Sequence, residues 1–320
     1  MSSAYPAPPF DAELKAALSI ANYPSTITAD MIPMLRQGFP GVKPVDEMLE
    51  DNGFDRRDVT ISGYEGGQIE VSVLTPRGHT GHGPGLYYTH GGGMVSGDRF
   101  AGIHQILPWA TDHNGVIVTV EYRLAPEHPD PIPVEDCFAA LEWIIENAAD
   151  LGIDRDRLLI AGSSAGGGLA AGTTLLARDR GITGLIGQVL MCPMIDDRNT
   201  SVSSHQIDGR GVWDRESNIM GWTSLLGERR GTDDVSIYAA PARATDLSGL
   251  PPTFIDAGSA EVFRDEAVAY ASKIWEAGGS AELHIWAGAF HGFEGFAPHT
   301  AIAQAAAAAR DNWAARILKA

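Results

Sequence analysis

A chain of 320 residues with 44% hydrophobic content is long enough to bury a substantial core without disulfide bonds or structural metal ions. Its 41 acidic and 23 basic residues leave a net charge of −18, which disfavours nucleic acid and anionic membrane surfaces as partners. The N-terminus lacks a basic segment followed by an apolar run, and no apolar stretch approaches the roughly 20 residues of a membrane span, so we expect a cytoplasmic protein. Two cysteines, Cys137 and Cys192, give neither a disulfide framework nor a metal-ligand spacing.

The first fifty residues favour short helices. Apolar residues recur at helical spacing from Phe10 to Ala21, and Asp11 is placed to cap the start of this helix. A second short helix is predicted over 28–37, and the prolines break the region into pieces. A segment of this kind can lie across a binding cleft.

Next, the hydrophobic period changes to two. VTISGY, a Gly-Gly turn and QIEVSVLTP predict an antiparallel strand pair, and a later apolar run ends in His90 followed by three glycines. Backbone amides in such a glycine loop can converge on one oxygen atom, as an oxyanion hole requires. Each such donor stabilises the transition state by roughly 2.7–4 kcal/mol. We expect Gly92 and Gly93 to supply these amides and His90 to brace the loop.

The stretch 158–169, LLIAGSSAGGGL, predicts a strand, a tight turn and the start of a helix. It matches the G-x-S-x-G nucleophile elbow with Ser164 at its centre, and in such an elbow the amide of the next residue, Ala165, is a further oxyanion donor. A Cβ at Gly162 or Gly166 should clash in so sharp a reversal, and Ser164 should be strained. The letters also fit a dinucleotide-binding fingerprint, but no acidic residue follows at the expected ribose position.

A third stretch, 121–129, reads EYRLAPEHP after a continuous apolar strand. With HGGG before it and GSSAGG after it, the chain resembles the microbial hormone-sensitive-lipase-like carboxylesterases, whose hallmark reads close to DYRLAPEHP; Glu121 stands at the usual aspartate. The resemblance covers about residues 85–310 and implies that Arg123, Glu127 and His128 are scaffold. It also implies an α/β-hydrolase fold, in which an eight-stranded, mostly parallel sheet is flanked by helices and covered by a helical cap. The alternation of apolar strands with helical stretches favours this α/β class independently.

About 60 residues separate the strand ending at Cys192 from the strand beginning at Thr253, which is more than a simple crossover needs. The segment 214–226 has an acidic start and apolar helical spacing, so we expect a helix there. We interpret 1–320 as one domain whose cap is built from about 1–50 and about 195–235. Core packing and an apolar substrate pocket are both open for Met94, Val95, Trp213, Ile219 and Trp222.

A base should follow near the C-terminus, after the acid. His291 lies in FHGF after an apolar strand, and this stretch resembles the HGF motif of the family. The family usually places its acid in a DPLRDE-like stretch, where this chain reads EVFRDE. That register favours Glu261, with Asp265 and Asp256 kept as alternatives.

These motifs predict a serine carboxylesterase that hydrolyses small-molecule esters through an acyl-enzyme, with no metal or cofactor. The wording of residues 235–253 resembles a bacterial subset of the family that includes heroin esterase, which implies short acyl chains. A non-hydrolytic receptor on the same fold is an alternative, as is an amidase or lactonase with the same triad. The presence of both Ser164 and His291 favours an enzyme. The resemblance also implies a possible homodimer through the last helix, 300–318.

Overall fold

The computed structural model describes residues 5–21, 23–38 and 43–319. Its eight strands are β1 (Phe54–Ser62), β2 (Gln68–Pro76), β3 (Gly83–Thr89), β4 (Val116–Glu121), β5 (Ile153–Ser163), β6 (Leu185–Met191), β7 (Thr253–Gly258) and β8 (Ala281–Trp286). They form one sheet in the order β1-β2-β4-β3-β5-β6-β7-β8. The β1/β2 and β2/β4 pairs are antiparallel, and the other five pairs are parallel. The predicted mostly parallel, eight-stranded sheet is therefore confirmed.

Eleven α-helices occur in the described part of the chain. They are α1 (Ala12–Ala21), α2 (Ile32–Leu35), α3 (Val45–Asp51), α4 (Leu107–His113), α5 (Ile132–Asn147), α6 (Ala165–Asp179), α7 (Val202–Gln206), α8 (Arg215–Leu226), α9 (Arg264–Glu276), α10 (Phe293–Phe296) and α11 (Ala301–Leu318). Within the described ranges, no helix is both long and apolar enough to cross a membrane.

Helices cover both faces of the sheet because successive side chains of a buried strand point to opposite faces. On one face, Tyr87, Val118 and Ile160 pack in a core that also contains apolar residues of α5, α6 and α9. On the other face, Tyr88 and Leu159 join a core that contains residues of α4 and α11. Parallel strands sandwiched in this way bring their carboxyl ends to one edge of the sheet, where ligands bind in open α/β folds.

The N-terminal helix begins where the sequence predicts, since the Asp11 carboxylate accepts hydrogen bonds from the amides of Glu13 at 2.9 Å and Leu14 at 3.2 Å. The second predicted helix, over 28–37, is present but is divided between two helix types. A 3₁₀ turn at Ala29–Met31 leads into the single turn of α2, with Pro33 in its first turn. Proline is tolerated there because amides of the first turn have no intrahelical partner.

The predicted helix over 214–226 is confirmed as α8, capped by Asp214, whose carboxylate accepts from the amide of Ser217 at 2.8 Å. The same carboxylate accepts from the Thr26 hydroxyl at 2.5 Å, and the Ser217 hydroxyl accepts from the amide of Ile27 at 2.8 Å. These bonds join the N-terminal segment to α8, two parts of the chain that are about 190 residues apart. The predicted cap includes residues 1–4, 22 and 39–42, which lie outside the described ranges.

Candidate active site

Ser164 occupies the turn between β5 and α6 with φ 58° and ψ −120°. Such a conformation costs about 1–3 kcal/mol in a non-glycine residue and persists only where surrounding structure enforces it. The backbone amide of Ser164 donates to Met191 O on the neighbouring strand at 2.8 Å, which helps to hold the turn. A Cβ on Gly162 would collide with the carbonyl of Gly166, and a Cβ on Gly166 with the carbonyl of Thr89. The predicted crowding and strain are therefore confirmed.

His291 lies in the loop between β8 and α10, and its ring reaches the elbow. The Ser164 hydroxyl is 2.9 Å from His291 Nε2, which is the distance of a good hydrogen bond. The His291 side chain is 10% exposed, and its ring meets the Phe263 ring edge-on, with 5.0 Å between ring centroids. Gly292 follows with φ 69°, a left-handed conformation that favours glycine and turns the chain directly after the histidine.

Glu261 presents its carboxylate to the other side of the imidazole. His291 Nδ1 donates to Oε1 at 3.3 Å, and the amide of Gly258, at the end of β7, donates to Oε2 at 2.7 Å. The Glu261 side chain is 1% exposed, so these two donors replace water around the carboxylate. This arrangement orients the imidazole with its unprotonated nitrogen toward Ser164.

The two alternative acids, Asp265 and Asp256, bond to groups other than His291. Asp265 accepts from the amide of Ser203 at 2.7 Å and pairs with Arg264, which places it at the junction of α7 and α9. Asp256 is buried on β7, where it accepts from Trp286 Nε1 at 3.1 Å and lies 3.5 Å from Arg310. Burial raises the pKa of Asp256 to about 6. Of the three carboxylates, Glu261 is the one within hydrogen-bonding distance of His291.

Two opposing effects act on the charge of His291. Burial lowers the pKa of His291, whereas the neighbouring Glu261 carboxylate raises it. Burial also raises the pKa of the Cys192 thiol above its usual value, which makes this thiol neutral near pH 7. The Glu261 carboxylate is therefore the anion that stabilises an imidazolium at this position.

The glycine loop lies beside the elbow. In the described structure, the amides of Gly92 and Gly93 donate to no other group, and the Ala165 amide is one of those that the first turn of a helix leaves unpaired. His90 donates from Nδ1 to the carbonyl of Gly91 at 2.7 Å, and its ring stacks on Tyr122 with 4.2 Å between centroids. Burial lowers the pKa of His90, so its ring is neutral. These contacts agree with a bracing role for His90.

The five predicted pocket residues fall into different environments. Trp213 lies against the glycine loop, since a Cβ on Gly93 would collide with its ring, and it is 9% exposed. Met94 and Val95 are buried directly behind the same loop, and Ile219 on α8 is half-buried. Trp222 is 0% exposed and packs in the core with Leu225, Leu226 and their neighbours.

Two residues at the site have no role in the sequence prediction. Arg36, which ends α2, donates to the carbonyls of Val95 at 2.8 Å and Ala125 at 2.9 Å and pairs with Glu127. Cys192 follows β6 directly, and its sulfur, a carboxylate oxygen of Glu261 and a ring nitrogen of His291 all lie within 4.8 Å of one another. Its position at the end of a strand was a signal in the sequence, because the carboxyl ends of parallel strands converge on one edge.

Comparison with protein families agrees with this geometry. Residues 86–295 match a family described as alpha/beta hydrolase fold, and this span includes the glycine loop, the elbow, Glu261 and His291. The chain therefore belongs to the α/β-hydrolase fold family. As predicted, it is a hydrolase, and the glycines of α6 serve close packing: a Cβ on Gly168 would collide with the carbonyl of Met194.

Similar proteins define the class more narrowly. The chain is 35% identical to carboxylesterase NlhH of Mycobacterium tuberculosis over 298 residues, 91% of this chain and 90% of that protein. The solved structure of a bacterial heroin esterase is 38% identical, with a TM-score of 0.89 over 97% of this chain and 98% of that one. Brefeldin A esterase, a bacterial homologue of human hormone-sensitive lipase, is 26% identical with a TM-score of 0.79 over 97% and 94% of the two chains. The protein is a carboxylic ester hydrolase of the hormone-sensitive-lipase-like group, as the sequence motifs predict.

Proposed function

We propose that this esterase hydrolyses short-chain acyl esters through an acyl-enzyme formed on Ser164, with His291 as the base and Glu261 as the acid that orients it. The observation that carries the proposal is the 2.9 Å contact between the Ser164 hydroxyl and His291 Nε2, made from a strained elbow. His291 Nδ1 keeps its proton because it donates to Glu261. Nε2 is then the free lone pair that accepts the serine proton.

The proposed reaction has two acyl-transfer steps. Ser164 Oγ attacks the ester carbonyl as its proton moves to His291, and Glu261 stabilises the imidazolium that forms. The carbonyl oxygen becomes an oxyanion held by the amides of Gly92, Gly93 and Ala165, and the alcohol leaves with the proton from His291. Water then attacks the acyl-enzyme with His291 again as the base, and the acid is released.

The proposed pocket is small. Gly93 lies against the Trp213 ring, and α8 comes close to the same loop, because a Cβ on Gly221 would lie 3.1 Å from the carbonyl oxygen of Gly93. We assign Met94, Val95, Trp213 and Ile219 to its walls and leave Trp222 to the core that supports them. Because these apolar side chains stand so near the loop, they leave little length for an acyl chain. The N-terminal segment and α8, joined through Thr26 and Ile27, form the proposed cap.

The test uses adjacent serines. Ser164→Ala should lose nearly all hydrolysis of p-nitrophenyl acetate and all labelling by a serine-reactive phosphonate. Ser163→Ala is the matched control and should keep both properties, since the Ser163 hydroxyl lies 3.9 Å from the Cys192 sulfur and, among the described residues, is not hydrogen-bonded to His291. Retained activity in Ser164→Ala would contradict the nucleophile, and a rate that peaks at long acyl chains would contradict the pocket.

A further inference from the structure

A thiol, a carboxylate and an imidazole meet behind the elbow. Cys192, Glu261 and His291 each offer a donor atom, and all three atoms lie within 4.8 Å of one another. The residues come from three separate loops, which follow β6, β7 and β8. Because these strands are neighbours in the sheet, the backbone fixes the spacing of the three donors.

The three donor types suit one class of ion. Thiolate and imidazole nitrogen bind soft and borderline d¹⁰ cations such as Zn²⁺ and Cd²⁺, and a carboxylate is a common third ligand. Bonds of about 2.0–2.3 Å to a tetrahedral Zn²⁺ bring ligand atoms to less than 4 Å from one another, so the cluster needs only a small contraction. Hard cations such as Mg²⁺ and Ca²⁺ prefer six or more oxygen ligands, which the cluster does not offer.

A small cavity lies beside two of the three donors. A cavity of about 30 Å³ is lined by Cys192 and Glu261, and also by Asp256 and Arg310. A space of this size with polar walls holds a water molecule.

We propose that Cys192, Glu261 and His291 form an inhibitory site for a soft divalent cation such as Zn²⁺ or Cd²⁺. On binding, the Cys192 S–H bond breaks, the sulfur bonds to the metal and the proton leaves to solvent. Glu261 and one ring nitrogen of His291 complete three ligands, and the fourth position is open. Only the loss of activity rests on the proposed function, because binding itself needs no catalysis.

Binding at either ring nitrogen removes the base. A metal on His291 Nε2 occupies the lone pair that faces Ser164. A metal on Nδ1 displaces the contact with Glu261 and leaves the ring proton on Nε2, which then cannot accept the serine proton. Inhibition therefore follows whichever nitrogen the ion takes.

The first experiment titrates esterase activity with Cd²⁺ and, in parallel, with Ca²⁺. The wild-type enzyme should lose activity with Cd²⁺ and regain it when EDTA is added. Ca²⁺ should leave its activity unchanged. Cys192→Ser should raise the Cd²⁺ concentration for half-inhibition at least tenfold, since losing even an outer-shell partner of a metal ligand costs about 10–100-fold in affinity. Cys137→Ser is the matched control and should behave as wild type, because Cys137 is fully buried in α5. Equal inhibition of wild type and Cys192→Ser would overturn the proposal.

A second experiment measures binding without turnover. Ser164→Ala keeps all three ligands, so Cd²⁺ should produce its thiolate charge-transfer absorption in this variant and not in Ser164→Ala/Cys192→Ser. Absence of the band from Ser164→Ala would refute the site, whereas esterase activity in Ser164→Ala would refute the proposed nucleophile instead. Should the Cys192 variants fail to fold, Cd²⁺ must slow alkylation of Cys192 by iodoacetamide in wild type at least tenfold, as read by peptide mass spectrometry. An unchanged alkylation rate would equally refute the site.

Discussion

Replacing Glu261 with glutamine should expose how the acid acts on His291. The carboxylate accepts two hydrogen bonds, from the Gly258 amide at 2.7 Å and from His291 Nδ1 at 3.3 Å. Glutamine has the same shape but only one oxygen, so it can accept from one of these donors and must turn its NH₂ group toward the other.

The shorter bond decides the orientation. If the glutamine oxygen stays with Gly258, its NH₂ group donates to His291 Nδ1, which forces the ring proton onto Nε2. If the oxygen turns to His291, the NH₂ group faces the buried Gly258 amide, and an unpaired buried donor costs about 1–3 kcal/mol. The first orientation therefore dominates, and it leaves His291 in a tautomer that cannot accept the proton of Ser164.

We expect Glu261→Gln to lower kcat by roughly 10³–10⁴-fold, the size of the effect when the triad aspartate of a serine protease with an unrelated fold becomes asparagine. At about 1.4 kcal/mol for each tenfold, this is about 4–5.5 kcal/mol of transition-state stabilisation. Glu261→Asp keeps the charge but shortens the reach by a methylene, and a misplacement of that size costs about 10²-fold.

The assay is kcat on p-nitrophenyl acetate, with near-UV circular dichroism and a thermal melt to show that each variant folds. Asp265→Asn is the control, because Asp265 bonds to Ser203 and Arg264 away from the imidazole, and its turnover should stay close to wild type. Turnover within tenfold of wild type in Glu261→Gln would refute the tautomer argument. A collapse in Asp265→Asn with the fold intact would give the role to that residue instead.

Three further substitutions test the parts around the triad. Arg123→Ala removes the cation that pairs with the fully buried Asp136. The free energy of unfolding in urea should therefore fall by about 3 kcal/mol. A change below about 1 kcal/mol would contradict this scaffold role. Gly93→Val places a side chain against the Trp213 ring at a position whose φ of 65° disfavours valine. We expect kcat to fall by about 10²–10³-fold, as when one oxyanion donor is lost. An unchanged kcat would mean that this loop does not hold the oxyanion. Trp213→Ala should shift kcat/KM toward longer acyl chains in a p-nitrophenyl ester series, and an unchanged profile would remove Trp213 from the pocket.

The features of the site that are local in sequence could be predicted. The crowding around Gly162 and Gly166 arises because a strand and a helix meet within five residues. The local sequence is therefore enough to predict this crowding. Asp11 and Asp214 cap helices because each side chain needs to reach only the amides two or three residues later. The fold class was predictable for the same reason, because each buried strand is a short apolar run between turns.

The features that depend on distant neighbours could not be predicted. Trp213 and Trp222 looked alike in sequence, but one lies against the glycine loop and the other is fully buried, and the packing of α8 decides which. The bonds from the Arg36 side chain to the carbonyls of Val95 and Ala125 join positions about 60 and 90 residues apart, which the helical pattern over 28–37 does not contain. The sequence places Cys192 at the end of a strand, but its approach to Glu261 and His291 also depends on the order of strands in the sheet, which no local pattern encodes.

The N-terminal segment has a larger part in the site than its helical pattern indicated. The amide of Asp11 donates to the carbonyl of Gly288 at 2.9 Å, three residues before His291, and the Phe10 ring meets Phe290 edge-on, with 5.8 Å between centroids. Farther along, the Thr26 hydroxyl donates to Asp214, which caps α8, and Arg36 donates to the carbonyl of Val95, directly after the glycine loop. Residues of the N-terminal segment therefore contact the loop of His291, α8 and the chain directly after the glycine loop. Since none of these contacts lies within the sheet, disorder in this segment would loosen all three parts of the site while the central fold persists.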